Sequence, residues 1–193
     1  GDGLPVASFI ELEAGTDIVG YLAGSGEETV VLVTDNGFGL KCRLKDLFSR
    51  MKAGRTFVKT DDGARVMPPL TTTAATPKLA CLSEEGRLLV FDLEELRELN
   101  GGGKGVILMG LNDGEKLTAV LPVSDAGCIV TGQGRSTVRQ KTLVKNEWLE
   151  FFGRRARKGK VLAIRFTATG LAPLPKKDDG AVAEEEELEP KLF

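Results

Sequence analysis

The chain has 193 residues, of which 41% are hydrophobic and 28% charged, a composition typical of one globular domain or two small ones. It contains no histidine, which excludes histidine-based triads, histidine general bases and histidine metal ligands. Its three cysteines are far apart, so we expect buried thiols in a reducing cytosol rather than a zinc site. No apolar run approaches the roughly 18 residues of a membrane-spanning helix.

The formal net charge of −2 conceals a clustered distribution. Seven basic residues and one acidic residue lie between Asn36 and Thr60, and ten basic and two acidic residues lie between Cys128 and Arg165. Basic clusters of this kind favour a polyanionic partner. From Lys176 to Phe193, seven acidic residues outnumber three basic ones, and this composition predicts an acidic disordered tail.

Three segments share one pattern of an apolar run, a Ser or Thr, two turn residues and a glycine. The glycines are Gly37, Gly86 and Gly134, spaced by 49 and 48 residues. Each segment predicts a β-hairpin, because a polar pair followed by glycine permits a tight turn with a left-handed residue. We predict first strands at 30–33, 79–82 and 128–130, and second strands at 40–44, 88–93 and 137–141.

A glycine cluster follows each hairpin. The clusters lie at 53–55, 101–105 and 157–160, and further strands are predicted after them at 56–59, 106–109 and 161–166. Another strand is predicted before a hairpin, as at 17–22 and 116–121, and single helical turns are predicted at 44–47 and 93–96. Short strands repeating every 40 to 50 residues predict an all-β, propeller-like fold, because one blade cannot bury its apolar face alone.

We therefore predict about four four-stranded blades in an incomplete or open ring. The predicted repeat units lie near residues 1–27, 28–77, 78–125 and 126–175, and the acidic tail covers residues 176–193. The glycine clusters are interpreted as crossings between blades that need positive φ, because they lack the GxxxxGK[ST] spacing of a phosphate-binding loop. Trp148, Phe151 and Phe152 are interpreted as core or loop packing rather than as a platform for base stacking.

A more specific pattern lies in the first repeat. It consists of Asp35-Asn36-Gly37-Phe38-Gly39, followed by Asp46-Leu47, Arg50, Ala53-Gly54 and Val66-Met67-Pro68-Pro69. This pattern resembles the C-terminal domain of the A subunit of bacterial topoisomerase IV, over residues 1 to about 175. The resemblance implies a β-pinwheel, a disc whose neighbouring blades exchange strands and whose outer rim holds and bends duplex DNA without performing chemistry.

The related domain in the A subunit of DNA gyrase wraps DNA strongly and carries a signature of the type Q-R-R-G-G-K-G. Residues 154–160 are the nearest match here, but they lack the initial Gln and the Gly pair, which favours topoisomerase IV and leaves gyrase as a second alternative. The resemblance places the catalytic tyrosine and the ATP site elsewhere in the parent enzyme. We therefore expect no catalytic residue, metal or cofactor here, with ATP and Mg²⁺ acting through other domains.

Cations of the first and third repeats are the candidate DNA-binding residues. Lys41, Arg43 and Lys45 alternate with apolar residues, which places them on one face of a strand about 6.6 to 6.8 Å apart, close to the phosphate spacing of DNA. The full set is Lys41, Arg43, Lys45, Arg50, Lys52, Arg55, Arg135, Arg139, Lys141, Arg154, Arg155, Arg157, Lys158 and Lys160. In the second repeat, the second strand and the acidic segment after it offer only Arg87, Arg97 and Lys104, so we expect uneven binding along the rim.

Other interpretations remain open at the level of sequence. Alternating cations also occur on simple solvated strands, and the acidic second repeat with the Trp148 loop favours a protein-interaction propeller that docks a chromosome-organising partner. An enzyme is the weakest class, because no nucleophile and base are paired in the sequence. The acidic tail is interpreted as solvated, with competition against DNA for the basic rim as the alternative.

The resemblance also implies partners and a location. The implied partners are double-stranded DNA, the B subunit of topoisomerase IV in a heterotetramer, and a condensin-type chromosome protein. The implied location is cytoplasmic and nucleoid-associated, and it is compatible with peripheral membrane association of the parent enzyme.

Overall fold

The computed structural model describes residues 3, 10, 13–135 and 137–175, and these residues form mainly short antiparallel strands. The strands are β1 (Thr29–Val33), β2 (Phe38–Arg43), β3 (Leu70–Thr72), β4 (Lys78–Ser83), β5 (Arg87–Asp92), β6 (Val106–Ile107), β7 (Leu117–Val123), β8 (Gly127–Gln133), β9 (Val138–Val144), β10 (Lys160–Val161) and β11 (Thr167–Pro173). Among the described residues, 3₁₀ helices cover Leu44–Leu47 and Leu93–Glu95, and helix α1 covers Lys145–Leu149. None of the described helices has the length and apolarity to span a membrane.

The described strands form three sheets, each built around one of the predicted hairpins. Their strand orders are β3-β1-β2-β6, β7-β4-β5-β10 and β11-β8-β9. The fourth strand of a sheet comes from the next repeat, since β6 pairs with β2 and β10 pairs with β5. This exchange of strands between neighbouring blades confirms the all-β, propeller-like pinwheel. The described residues form three blades where about four were predicted.

Two predicted strands do not form, and the strand predicted at 161–166 is reduced to β10, since residues 162–166 are not in a strand. Residues 17–22 have no regular structure, and residues 56–59 contribute one isolated bridge between Val58 and Gly103. The physical reason is that strands at these positions in a repeat pair with a hairpin that precedes them in the chain, as β6 pairs with β2 and β7 pairs with β4. No hairpin precedes β1 among the described residues. The predicted acidic tail, residues 176–193, and most of the predicted unit 1–27 lie outside the described residues.

Apolar side chains fill the spaces between the sheets. Val31 and Val33 of β1 pack with Leu79 and Cys81 of β4, so the first and second sheets share a core. The second and third sheets share another core, in which Trp148 is fully buried with Val90 and Phe151. The ring of Phe152 meets Trp148 edge-on at 5.5 Å. Packing of Trp148 and its neighbours in the core is therefore confirmed.

The glycine clusters at 101–105 and 157–160 lie where the chain crosses from one blade to the next, whereas the cluster at 53–55 is not directly followed by a described strand. Gly105 has φ 82° immediately before β6, and a Cβ there would overlap the Gly39 carbonyl oxygen. Gly159 has φ 72° immediately before β10, and a Cβ there would lie 2.6 Å from the Leu88 carbonyl oxygen. Both sites have the predicted positive φ, and both also involve a close backbone approach.

The third hairpin is longer than the other two. Val33 pairs with Gly39 and Leu82 with Leu88, so five residues close each of the first two turns. The aligned Val130 pairs with Lys141, which leaves ten residues between them. The paired strands of the third hairpin therefore continue for three further residue pairs, as far as Gln133 and Val138.

Candidate nucleic-acid interface

The basic strand of the first repeat has the predicted alternation. Leu40 and Cys42 are fully buried and Leu44 is 5% exposed, whereas Lys41 and Arg43 emerge on the opposite face. These two cations also bind within the protein. The Lys41 ammonium donates to the Leu93 carbonyl oxygen at 3.2 Å, and the Arg43 guanidinium donates to the Glu27 carbonyl oxygen at 3.0 Å. Both are therefore less free than the sequence pattern alone suggests.

The second repeat contributes to these contacts. Backbone hydrogen bonds join Lys41 to Arg97 at 3.1 Å and to Leu99 at 2.8 Å, so residues 97–99 lie along the outer edge of β2. This arrangement brings the Glu98 carboxylate to 3.4 Å from Arg43 Nε. Lys45 is more exposed and pairs with Glu27 at 2.7 Å. The outer face of β2 is therefore a mixed surface of paired charges.

The loop after β2 presents further cations. Arg50, Lys52 and Arg55 are exposed. The Arg55 guanidinium donates to the Asp46 carbonyl oxygen and lies 5.1 Å from the centre of the Phe57 ring, which fixes its direction. No described carboxylate forms a salt bridge with these three residues.

The third hairpin carries the second group of cations. Arg135 and Arg139 are exposed, and neither forms a salt bridge with a described acidic side chain. Lys141 lies 2.5 Å from Glu147. Arg165, which is not among the sequence candidates, lines an open groove of about 660 Å³ together with Arg139 and Lys141. Its place in the same basic stretch is the sequence signal that could have identified it.

Residues 154–160 form the third group. Arg154, Arg157, Lys158 and Lys160 are exposed. Arg155 is half-buried, and its guanidinium donates to the carbonyl oxygens of Glu95 at 3.1 Å and Ile107 at 3.0 Å. Arg155 therefore anchors the loop to residues of the second repeat, while its neighbours face solvent.

Two of the three cations expected on the surface of the second repeat are engaged with other side chains of the protein. Arg87 is buried and binds Glu115, so it is not a rim cation. Lys104 pairs with Asp61 at 2.7 Å and lies 4.1 Å from the centre of the Phe38 ring. Arg97 is the remaining cation of the expected three and is exposed.

The three cysteines are free thiols in the blade cores. Burial, together with the Asp46 and Glu98 carboxylates, raises the pKa of Cys42 to about 11, and burial raises the pKa of Cys128 to about 12. Burial also raises the pKa of Cys81. These thiols stay protonated near neutral pH, which disfavours nucleophilic chemistry. The described residues contain no group of three or more acidic, cysteine or histidine side chains arranged to hold a metal ion.

Comparisons with known proteins agree with this architecture. A family described as the DNA gyrase C-terminal domain, beta-propeller, matches residues 28–72 and 77–124, which contain the first two hairpins. The DNA topoisomerase 4 A subunit of Neisseria gonorrhoeae is 32% identical over 169 residues, covering 85% of this chain and 22% of the relative. The Haemophilus influenzae protein of the same name is 28% identical, covering 83% and 22%. The chain thus spans about a fifth of the length of these curated relatives.

Solved structures share the fold. The E. coli ParC C-terminal domain has a TM-score of 0.75 at 24% identity, covering 84% of this chain and 67% of that one. The C-terminal domain of a DNA topoisomerase IV gives 0.73 at 22% identity, with coverage of 88% and 54%. The DNA gyrase A C-terminal domain gives 0.68 at 20% identity, with coverage of 87% and 57%. The chain therefore belongs to the family of C-terminal β-propeller domains found in the A subunits of DNA topoisomerase IV and DNA gyrase.

Proposed function

We propose that this domain holds and bends duplex DNA on a basic rim built from the first and third repeats. The observation that carries the proposal is the set of exposed cations on the third hairpin and the 154–160 loop. Arg135, Arg139, Arg154 and Arg157 are exposed and form no salt bridge with a described acidic side chain. Unpaired surface cations raise the local concentration of a polyanion, and each phosphate contact releases a condensed counterion.

Phosphate contacts, rather than reading of base edges, fit these residues best. The exposed cations lie on loops and strand faces, and sequence specificity requires side chains that reach into a groove in fixed geometry. We therefore expect little sequence preference. A curved array of such contacts offsets the energy of bending the duplex, so the domain should prefer bent DNA over straight DNA.

In the parent protein, the domain would serve a type IIA topoisomerase. The relatives are named as A subunits of DNA topoisomerase 4, which supports this role over gyrase-like wrapping. We infer that the partner B subunit supplies ATP hydrolysis and that other domains supply the catalytic tyrosine and Mg²⁺. This domain would then help select DNA crossings for decatenation and relaxation of supercoils in the cytoplasm, without catalysing a step itself.

A protein-docking role is the second candidate. The second repeat exposes Asp92, Glu94 and Glu98, a part of the rim that DNA would avoid because of charge repulsion. A condensin-type chromosome protein is the partner we would test on this surface. Trp148 does not contribute to it, because its side chain is fully buried.

The test is binding to a labelled duplex of about 40 base pairs across a salt series. We would compare the unmodified protein with Arg154→Ala/Arg157→Ala/Lys158→Ala. The control is Arg97→Ala, which removes one exposed cation from the acidic repeat. Loss of three phosphate contacts should make the slope of log K against log salt shallower by about 2.7. The control should keep the original slope.

Absence of binding at low salt would overturn the proposal and favour the protein-docking role. A loop variant that behaves like Arg97→Ala would remove the 154–160 loop from the interface. In that case the remaining binding would have to come from the first repeat and the third hairpin.

A further inference from the structure

A buried ion pair lies where the second blade meets the chain that arrives from the third repeat. Arg87 is the first residue of β5 and is 7% exposed, and the Glu115 side chain is 1% exposed. The Arg87 guanidinium donates to Glu115 Oε2, and the same oxygen accepts a hydrogen bond from the Asn112 amide at 2.7 Å. Burial raises the pKa of Glu115, but the hydrogen bonds from Asn112, Ser83 and Arg87 outweigh it and keep the pKa of that carboxyl below its ordinary value.

The same guanidinium reaches the cationic loop. Its NH1 group donates to the carbonyl oxygens of Gly110, at 3.1 Å, and Lys158. The Gly110 amide in turn donates to the Arg157 carbonyl oxygen at 2.9 Å, and the Lys158 ammonium donates to Asn112 Oδ1 at 3.1 Å. The backbone of the loop is therefore fixed from inside, while the Arg157 and Lys158 side chains remain exposed.

The first blade lacks this arrangement. Arg87 pairs with Val161 of β10, and the residue at the equivalent place in the first blade is Phe38, which pairs with Ile107 of β6. Phe38 has no fork of N–H donors, whereas an arginine can bind several oxygens in fixed directions. A buried ion pair contributes little to stability because of its desolvation cost, but its geometry can specify a position.

We propose that Arg87 and Glu115 are positioning residues that hold the 154–160 loop so that its cations face DNA phosphates. The proposal rests on the DNA-binding function proposed above. It predicts that loss of Arg87 weakens DNA binding through the loop and not through general unfolding.

A double-mutant cycle tests this link. The variants are Arg87→Met, the loop variant Arg154→Ala/Arg157→Ala/Lys158→Ala, and their combination, each measured for affinity to the 40-base-pair duplex. We expect Arg87→Met to weaken binding on the order of 10-fold, and the combined variant to bind no more weakly than the loop variant, because coupled residues are not additive. Arg87→Lys keeps the charge but loses the fork, so it should resemble Arg87→Met.

Hydrogen exchange provides a readout that does not depend on DNA. In Arg87→Met, the amides of residues 155–159 should exchange faster while those of β1 and β2 stay protected. Glu115→Gln keeps the shape but removes the charge, and it should show the same local effect if Arg87→Met does not fold.

Two results would overturn the proposal. One is full additivity in the affinity cycle; the other is a loss of protection spread evenly over all three sheets. If the unmodified protein fails to bind DNA, the DNA-binding function fails, and exchange in the loop alone decides whether Arg87 orders it.

Discussion

The second strands of the first and third hairpins, β2 and β9, carry similar alternating cations in different surroundings. The outer edge of β2 is covered by β6 and by residues 97–99, and its cations Lys41 and Arg43 bind oxygens of the protein itself. No described strand pairs with the outer edge of β9, and Arg139 forms no salt bridge with a described carboxylate.

The difference shows that strand exchange helps to decide which cations are available. The segment that covers β2 brings the Leu93 carbonyl oxygen to Lys41 and the Glu98 carboxylate to Arg43, in addition to the contacts that Arg43 makes with Glu27 and Thr29. Glu98 beside Arg43 is the clearest case, at 3.4 Å. The third sheet lacks this coverage among the described residues, so its cations should contribute most to binding.

The largest effect should appear in DNA affinity. We expect Arg135→Ala/Arg139→Ala/Arg165→Ala to weaken duplex binding on the order of 100-fold at 0.1 M salt, because each lost phosphate contact forfeits the release of a counterion. The matched variant of the first repeat, Lys41→Ala/Arg43→Ala/Lys45→Ala, should lose about 10-fold, since its side chains are partly engaged within the protein. Fluorescence anisotropy with one duplex measures both. Equal losses would show that the internal contacts of β2 do not limit its cations.

The free energy of unfolding should show the opposite order, with a larger loss for a substitution in β2 than for one in β9. Arg43→Ala removes hydrogen bonds to the Glu27 carbonyl oxygen and the Thr29 hydroxyl, at 3.0 and 3.2 Å, and should lower the free energy of unfolding by about 1 to 2 kcal/mol. Arg139→Ala removes an exposed side chain and should change it by less than about 0.5 kcal/mol. Urea denaturation measures both values. A larger cost for Arg139→Ala would mean that β9 uses its cations structurally, contrary to the comparison.

Much of the fold could be predicted from the sequence because each hairpin has a local signal. The turn glycines Gly37 and Gly86 specify the first two hairpins, and the 3₁₀ helices form close to the predicted helical turns. The strands that did not form, at 17–22 and 56–59, depend on an edge supplied by another repeat. A local pattern carries no information on whether that edge exists.

The candidate site could be predicted less completely, for the same physical reason. Period-two alternation correctly placed Leu40 and Cys42 in the core and Lys41 and Arg43 on the other face. It could not show that Arg87 turns inward to Glu115, or that Arg155 binds the carbonyl oxygens of Glu95 and Ile107, because these partners lie far away in sequence. Contributions of the individual cations to DNA binding stay a prediction.

The smallest effects should come from two comparable ion pairs, one just after β2 and one near the end of β9. Lys45 lies 2.7 Å from Glu27 after β2, and Lys141 lies 2.5 Å from Glu147 near the end of β9. Both pairs are solvent-accessible, so double-mutant cycles should give a coupling free energy of at most about 1 kcal/mol for each.

Repeating the double-mutant cycles at high salt distinguishes a weak surface ion pair from a pair that the fold holds in place. Exposed pairs are screened when the Debye length falls to about 3 Å at 1 M salt, so both couplings should vanish there. The Lys141 pair should keep slightly more coupling at low salt, because its lysine side chain is 35% exposed against 52% for Lys45. If the coupling between Lys45 and Glu27 persists in 1 M salt, then even the most exposed of the cations Lys41, Arg43 and Lys45 is fixed by contacts within the protein. All three of these cations would then differ from the exposed Arg139 of β9. DNA binding by the first repeat would have to rely on Arg50, Lys52 and Arg55.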